Sequence, residues 1–180
     1  MIKEIDDLIS FLFDKRPDVR LKAEEIVEGL TGTADGIATL VGRKEKLIPQ
    51  LLHLMGRTGS EGNTATSSLV NLTALPELAT LAVEHGAVER AMDFLRQDDS
   101  QKDILIMLLA NLTSTEGGLT VLSQEGQPHE GYYITKLVQM LIGGKPSQLY
   151  DHCASILTNA TRHPIGPVSY THLTLPTTGV

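Results

Sequence analysis

Apolar and polar residues recur along this chain with the spacing of amphipathic helices, and the pattern repeats. Four stretches rich in Leu, Ile or Ala end in Asn-Leu-Thr or a variant of it, at 25–31, 67–73, 107–113 and 155–161. The key position of the four copies is held by Gly29, Asn71, Asn111 and Asn159, with separations of 42, 40 and 48 residues. These separations lie at or just beyond the period of armadillo and HEAT solenoids, about 40–47 residues.

Superposing the copies at the key position separates two faces of one helix. Positions six, three and two residues before it, and one after it, share a stripe of a 3.6-residue helix. We predict that this stripe is buried, since in the clearest copy it holds Leu105, Leu108, Leu109 and Leu112. In other copies it includes Ile26 and Cys153. A neighbouring stripe comprises the key position and the positions four and seven residues before it. It holds both polar and apolar residues, so packing does not dictate which residues occur there.

The segments between these helices fit two shorter helices per repeat. Pro76 suits the first turn of one such helix, and Gly86 suits the break between two helices. The N-terminal 31 residues hold only two helices. The sequence therefore predicts an all-α fold, a right-handed armadillo/HEAT-like α-solenoid of about four repeats, the first a partial capping repeat. The predicted helices span 2–13, 17–31, 34–42, 44–56, 60–73, 76–84, 87–97, 100–113, 116–123, 132–143 and 146–161.

Composition narrows the setting of this fold. The chain has 180 residues, of which 41% are apolar, a net charge of −7, no Trp and one Cys. This predicts one soluble domain that folds without a disulfide. The acidic balance disfavours direct binding of nucleic acid. The acidic N-terminus does not resemble a signal peptide, and no apolar run approaches the roughly 20 residues of a membrane span, so we expect a cytoplasmic protein.

Candidate chemistry is sparse. His152 and Cys153 are adjacent, but neighbouring helical residues project about 100° apart and Cys153 falls on the buried stripe, which favours a packed thiol. The other histidines show no spacing suited to a shared metal. The acidic pair Glu24-Glu25 is typical of a solvated face or a helix start, and the glycine-rich segment 29–36 is typical of a helix connection. The sequence predicts no enzyme, no cofactor and no metal site.

Four segments carry a resemblance to a known family. They read RPDVRLKAEEIVEGLTGT at 16–33, SLVNLT at 68–73, MLLANLTSTEGG at 107–118 and DHCASILTNATRHPIG at 151–166. Together they resemble the N-terminal half of the armadillo-like eukaryotic chaperone family for translation elongation factor 2. The resemblance implies a non-enzymatic adaptor that holds newly made elongation factor 2 and links it to the cytosolic chaperonin. Two alternatives stay open: an armadillo regulator of an Hsp70-type chaperone, such as a nucleotide exchange factor, and an enzyme whose site the sequence does not reveal.

Residues 164–180 differ from the rest of the chain, because they contain no charged residue and three of its eight prolines. Part of this text resembles a translated sequencing adaptor, which favours a non-native tail; a native disordered or extended terminus is the alternative. We therefore expect the armadillo-like domain, an N-terminal fragment, to occupy residues 1–163. Its last helix would lack the next repeat, so an outward apolar face would lie uncovered and the truncated end would be prone to self-association.

The mixed stripe supplies the best site candidate, because an Asn carboxamide can both donate to and accept from the amides of an extended peptide. In armadillo proteins that resemble nuclear import adaptors, such Asn residues work with a Trp one turn earlier, whereas this chain has Ser or Met there. An import-signal groove is therefore disfavoured. The alternative role for each Asn is a hydrogen bond to backbone near the end of its helix. The candidate protein-binding groove comprises Asn71, Met107, Asn111, Ser155 and Asn159.

Overall fold

The computed structural model describes residues 2–57, 59–97, 102–124, 126–143 and 148–162. In these ranges the chain forms eleven helices and no strand, which confirms the all-α prediction. The helices are α1 (Ile2–Phe11), α2 (Pro17–Thr31), α3 (Ala34–Val41), α4 (Lys44–Leu54), α5 (Ser60–Thr73), α6 (Pro76–Glu84), α7 (Ala87–Gln97), α8 (Lys102–Leu112), α9 (Glu116–Ser123), α10 (Tyr132–Gly143) and α11 (Gln148–Arg162).

Most helix ends fall where the repeat alignment predicts them. Six helices, α2, α5, α6, α7, α9 and α10, have the predicted bounds to the residue. The first helix ends two residues early, at Phe11. The side chain of Asp14 accepts a 2.9 Å hydrogen bond from the backbone N–H of Arg16, which turns the chain before Pro17 begins α2. The predicted first residues of α8 and α11 lie outside the described ranges.

The helices stack as an armadillo-like α-solenoid. The third helices of the repeats, α2, α5, α8 and α11, pack against one another in chain order, while α4, α7 and α10 each pack on the third helix of their own repeat. The four leucines of the clearest buried stripe are at most 1% exposed, and Cys153 is equally buried. The stripe therefore forms the continuous core between repeats.

One predicted core residue is wrong. Ile26 is 47% exposed, although the equivalent residues Ser68, Leu108 and Ile156 are fully buried. Ile156 is buried in α11, where the described chain offers no following repeat, whereas Ile26 lies in the first repeat. This register position must therefore face the preceding repeat, which the first repeat does not have. Ile26 and the half-exposed Phe11 instead line a surface depression of about 580 Å³.

The predicted outward apolar face of the last helix is also wrong for the described residues. The exposed side chains of α11 are Asp151, Ala154, Ser155, Thr158, Thr161 and Arg162. These are small or polar, so the described side chains of α11 offer no large apolar group to water. Self-association through this end stays a prediction without that support.

Two glycines allow a sharp connection from a third helix to the next repeat. Thr33 caps α3 by accepting a 3.1 Å hydrogen bond from the backbone N–H of Gly36. A Cβ added to Gly36 would lie 2.1 Å from the carbonyl oxygen of Leu30, far inside van der Waals contact. Gly118 repeats this arrangement with Thr115 as the cap. The glycine-rich segment is thus a helix connection, as expected, and its glycine is required for close approach.

The length and apolar character of the helices also bear on whether one could span a lipid bilayer. Within the described ranges, none combines the length and the apolar character that crossing a membrane requires.

Candidate protein-binding surface

The mixed stripes of the third helices form one surface, here called the ladder surface and defined by residues at the key position and four before it in α5, α8 and α11. Its residues are half-buried or exposed, unlike the core stripe beside it. Because the third helices pack side by side in chain order, we expect the stripes to lie next to one another. Five sequence-predicted residues belong to this surface: Asn71, Met107, Asn111, Ser155 and Asn159.

Asn111 is tied to the repeat before it. Its Nδ2 donates to the backbone carbonyl oxygen of Val70 at 2.9 Å and to Oγ1 of Thr73 at 3.3 Å. Val70 lies in the last turn of α5, where carbonyl groups lack a backbone N–H partner within the helix; its oxygen also accepts from the Thr73 hydroxyl at 3.3 Å. Both amide hydrogens of Asn111 are therefore used between repeats, and its side-chain oxygen is the group left to face a ligand.

Asn71 makes a similar link one repeat earlier. Its Nδ2 donates to Oγ1 of Thr31 at 3.1 Å, and Thr31 in turn donates to the carbonyl oxygen of Glu28 at 2.8 Å. Thr31 and Thr73 hold the same place, two residues after the key position, and both are 2% exposed. The Asn-Leu-Thr segments thus link the repeats, because the hydroxyl of a buried Thr accepts a hydrogen bond from the Asn side chain of the next repeat.

Asn159 does not complete this series. In the part of the chain that the structure describes, its side chain makes no hydrogen bond to α8, although Thr113 is fully buried at the equivalent place. The alternative role considered for each Asn, bonding to backbone near the end of its own helix, is wrong for Asn71 and Asn111. Their hydrogen-bond partners belong to the third helix of the preceding repeat. The spacing of residues in the sequence does not show how close two helices lie, so it could not predict these bonds.

Met107 and Ser155 occupy the position four residues before the key Asn. Met107 is 37% exposed, an unbranched and polarisable side chain on an otherwise polar stripe. Such side chains adapt to varied apolar partners. The hydroxyl of Ser155 donates to the carbonyl oxygen of Asp151 in its own helix at 2.8 Å. Neither side chain links two repeats, so both are available to a ligand without cost to the stack.

A buried charged cluster lies at the junction of the first two repeats. Arg20 and Glu61 form an ion pair at 3.0 Å with both side chains largely buried. Glu24 is fully buried nearby, which corrects its prediction as part of a solvated face. Burial, reinforced by the negative charge of Glu61, raises the pKa of Glu24 to about 7. Nothing in the sequence indicates this burial, because only the first repeat has a carboxylate at this buried position.

Catalytic and metal chemistry find little support in the described residues. They contain no group of three His, Cys, Asp or Glu side chains placed to hold a metal ion. Cys153 is buried, and that burial raises the pKa of its thiol, which disfavours the nucleophilic thiolate. The predicted packed thiol is consistent with this environment.

No protein-family model matches the chain. The chain is 26% identical over 144 residues to a protein from Dictyostelium discoideum described as "Protein HGH1 homolog". This match covers 77% of the chain and 39% of that protein, so the chain spans less than half the length of this relative.

Solved structures resemble the fold at low sequence identity. An engineered protein superposes with a TM-score of 0.75 at 19% identity, over 93% of this chain and 40% of that one. A designed armadillo repeat protein gives a TM-score of 0.72 at 15% identity, over 88% of this chain and 65% of that one. These likenesses show the armadillo-type fold.

Proposed function

We propose that this protein is a non-enzymatic chaperone adaptor that binds translation elongation factor 2 in the cytoplasm and acts with the cytosolic chaperonin. The observation that carries the proposal is the ladder surface, a mostly polar set of half-buried or exposed residues on three successive third helices that includes the exposed Met107. The client is suggested by the family resemblance of the four sequence segments. The distant similarity to an HGH1 homolog is compatible with that resemblance.

The chemistry of the ladder surface suits a protein segment better than a small molecule. The Asn oxygens and the Ser155 hydroxyl can accept hydrogen bonds from backbone N–H groups, and Met107 can cover an apolar side chain. These groups are distributed along a row of helices rather than gathered in an enclosed cavity. Such an extended surface is how solenoid proteins bind polypeptides.

Binding of purified elongation factor 2 to the purified full chain tests the proposal. Calorimetric titration should give saturable binding to elongation factor 2 and none to an Hsp70 chaperone. Binding to Hsp70 alone, with faster nucleotide release, would instead support the exchange-factor alternative. The absence of binding to either protein would overturn the adaptor proposal for this chain.

Met107→Ala tests whether the ladder surface makes the contact. We expect the dissociation constant for elongation factor 2 to rise about tenfold, since burying the side chain on binding contributes roughly 1–2 kcal/mol. Stability should change little, because Met107 is partly exposed in the free protein. Ile142→Ala is the matched control, since Ile142 is a 65% exposed apolar residue on α10, a helix that contributes no residue to the ladder surface. Equal effects of both variants would exclude this surface as the contact.

A further inference from the structure

Glu24 occupies a register position that faces the following repeat. It lies five residues before the key position, where the other copies hold Thr66, Ile106 and Ala154. Glu24, Thr66 and Ile106 are fully buried, whereas Ala154, in the last helix, is exposed. The position is therefore buried where a following repeat covers it. Glu24 accordingly lies in the junction between α2 and α5, which pack together.

The carboxylate of Glu24 has no hydrogen-bond partner in this junction. Neither of its oxygens receives a hydrogen bond, and both are inaccessible to water. The adjacent cation is already engaged, because Nη1 of Arg20 donates to the carbonyl oxygens of Asp14 and Lys15, at 2.8 and 3.0 Å. Nε of Arg20 donates to Glu61 at 3.0 Å.

Three charged groups act on Glu24. Glu61 at the start of α5 opposes its ionisation, while Arg20 on its own helix and Arg57 just before α5 favour it. Arg57 also lies 3.9 Å from Oε2 of Glu61, so both cations are shared with that second carboxylate. Among the described residues, α1 and α3, which also pack on α2, place no charged group close enough to influence Glu24.

We propose that Glu24 is a proton-operated latch between the first repeat and the rest of the solenoid. When its carboxyl group is protonated, the side chain is neutral and the buried junction closes without an unpaired charge. When the proton leaves, a second carboxylate beside Glu61 has no partner and no water in the closed junction. The junction then opens more often, and α1 and α2 separate transiently from α5.

The direction of the pH dependence follows from proton linkage. The folded-state pKa of about 7 is above the ordinary glutamate value of 4.5, so the closed junction binds more protons than the open one between these values. Its stability is fully present below pH 4.5, falls as the pH rises through that interval, and stays low above pH 7. The opening constant should rise on the order of a hundredfold between pH 5 and pH 8.

Melting temperatures from pH 5 to pH 8 test the latch on the full chain. Glu24→Gln keeps the side-chain shape without a charge. We expect it to melt with the unsubstituted protein at pH 5 and about 5 °C or more above it at pH 8. Glu25→Gln is the matched control on the adjacent, exposed residue, and its difference should stay constant. Ionisable groups common to all three proteins cancel in the comparison. A Glu24→Gln difference independent of pH would overturn the latch.

Hydrogen exchange and a direct titration locate the effect. At pH 8 the amides of residues 2–31 should exchange faster in the unsubstituted protein than in Glu24→Gln, while those of α8 match. Acceleration spread equally over all repeats would mean global destabilisation and would reject a latch. Nuclear magnetic resonance of the Glu24 carboxyl carbon needs no variant. A midpoint near neutral pH supports the proposal, and one near pH 4.5 refutes it.

Discussion

At the scale of single residues, Asn111 shows how one side chain can join two repeats. Its side-chain amide donates to two groups of α5, the carbonyl oxygen of Val70 and the hydroxyl of Thr73. The same residue type at position 159 makes no such link in the described chain. The sequence identifies both positions equally well, because the repeat conserves their register. It does not identify which of them bonds, because that depends on the separation of two helices.

Asn111→Ala should therefore lower stability. We expect a loss of about 1 kcal/mol in the free energy of unfolding, measured by urea denaturation, since Val70 and Thr73 lose a donor. Asn159→Ala is the internal comparison and should cost less, because it breaks no bond between repeats. Affinity for elongation factor 2, measured per folded molecule, separates the two roles of Asn111. Unchanged affinity with reduced stability would remove Asn111 from the binding surface.

Sequence reasoning at this scale succeeds for apolar residues and fails for charged ones. The leucines of α8 are buried as predicted, because a periodic apolar stripe has one stable orientation. Glu24 also holds a repeat position that is buried in other copies, yet its charge leads to the prediction of a solvated face. Ile26 fails for a different reason: its stripe is correct, but the first repeat has nothing before it to pack on.

At the scale of helices, the repeat alignment determines where helices lie, and local chemistry determines where they stop. Six helices match their predicted bounds, and each of the six begins at a Pro, directly after a Gly or after a capping Thr. The early end of α1 depends on Asp14, which occurs once and follows no repeat. The connection from α2 to α3 depends on the missing Cβ of Gly36, a requirement visible only in the folded backbone.

Gly36→Ala should disrupt this connection. We expect a loss of about 2 kcal/mol or more in unfolding free energy, because the new Cβ would press on the carbonyl oxygen of Leu30 and move α3 from its cap. Gly29→Ala is the control, since a Cβ there meets nothing within 4 Å. It lies inside α2 and should gain up to about 1 kcal/mol from helix propensity. Thermal or urea unfolding of both variants measures the contrast, and losses of similar size would contradict this account.

At the scale of the whole molecule, each repeat contacts its neighbours in a row, so stability is distributed along the stack. The tail at 164–180 lies outside the described residues, and its contribution is still a prediction. It offers no periodic apolar face, so deleting it should leave the melting temperature within about 2 °C. Circular dichroism on the two chain lengths measures this. A drop of about 10 °C would show that the tail packs on the repeats.

The Asn–Thr hydrogen bonds between repeats also affect whether the chain could fold in a compartment where N-linked glycans are attached. Asn71-Leu72-Thr73 and Asn111-Leu112-Thr113 each fit the acceptor sequence for N-linked glycans. In the folded protein, Thr73 and Thr113 are buried and the amide nitrogen of Asn111 is bonded to the neighbouring helix. A sugar attached to either Asn during export would occupy the space in which the third helix of the preceding repeat must dock. The residues that hold the solenoid together thus make it incompatible with glycosylation before folding.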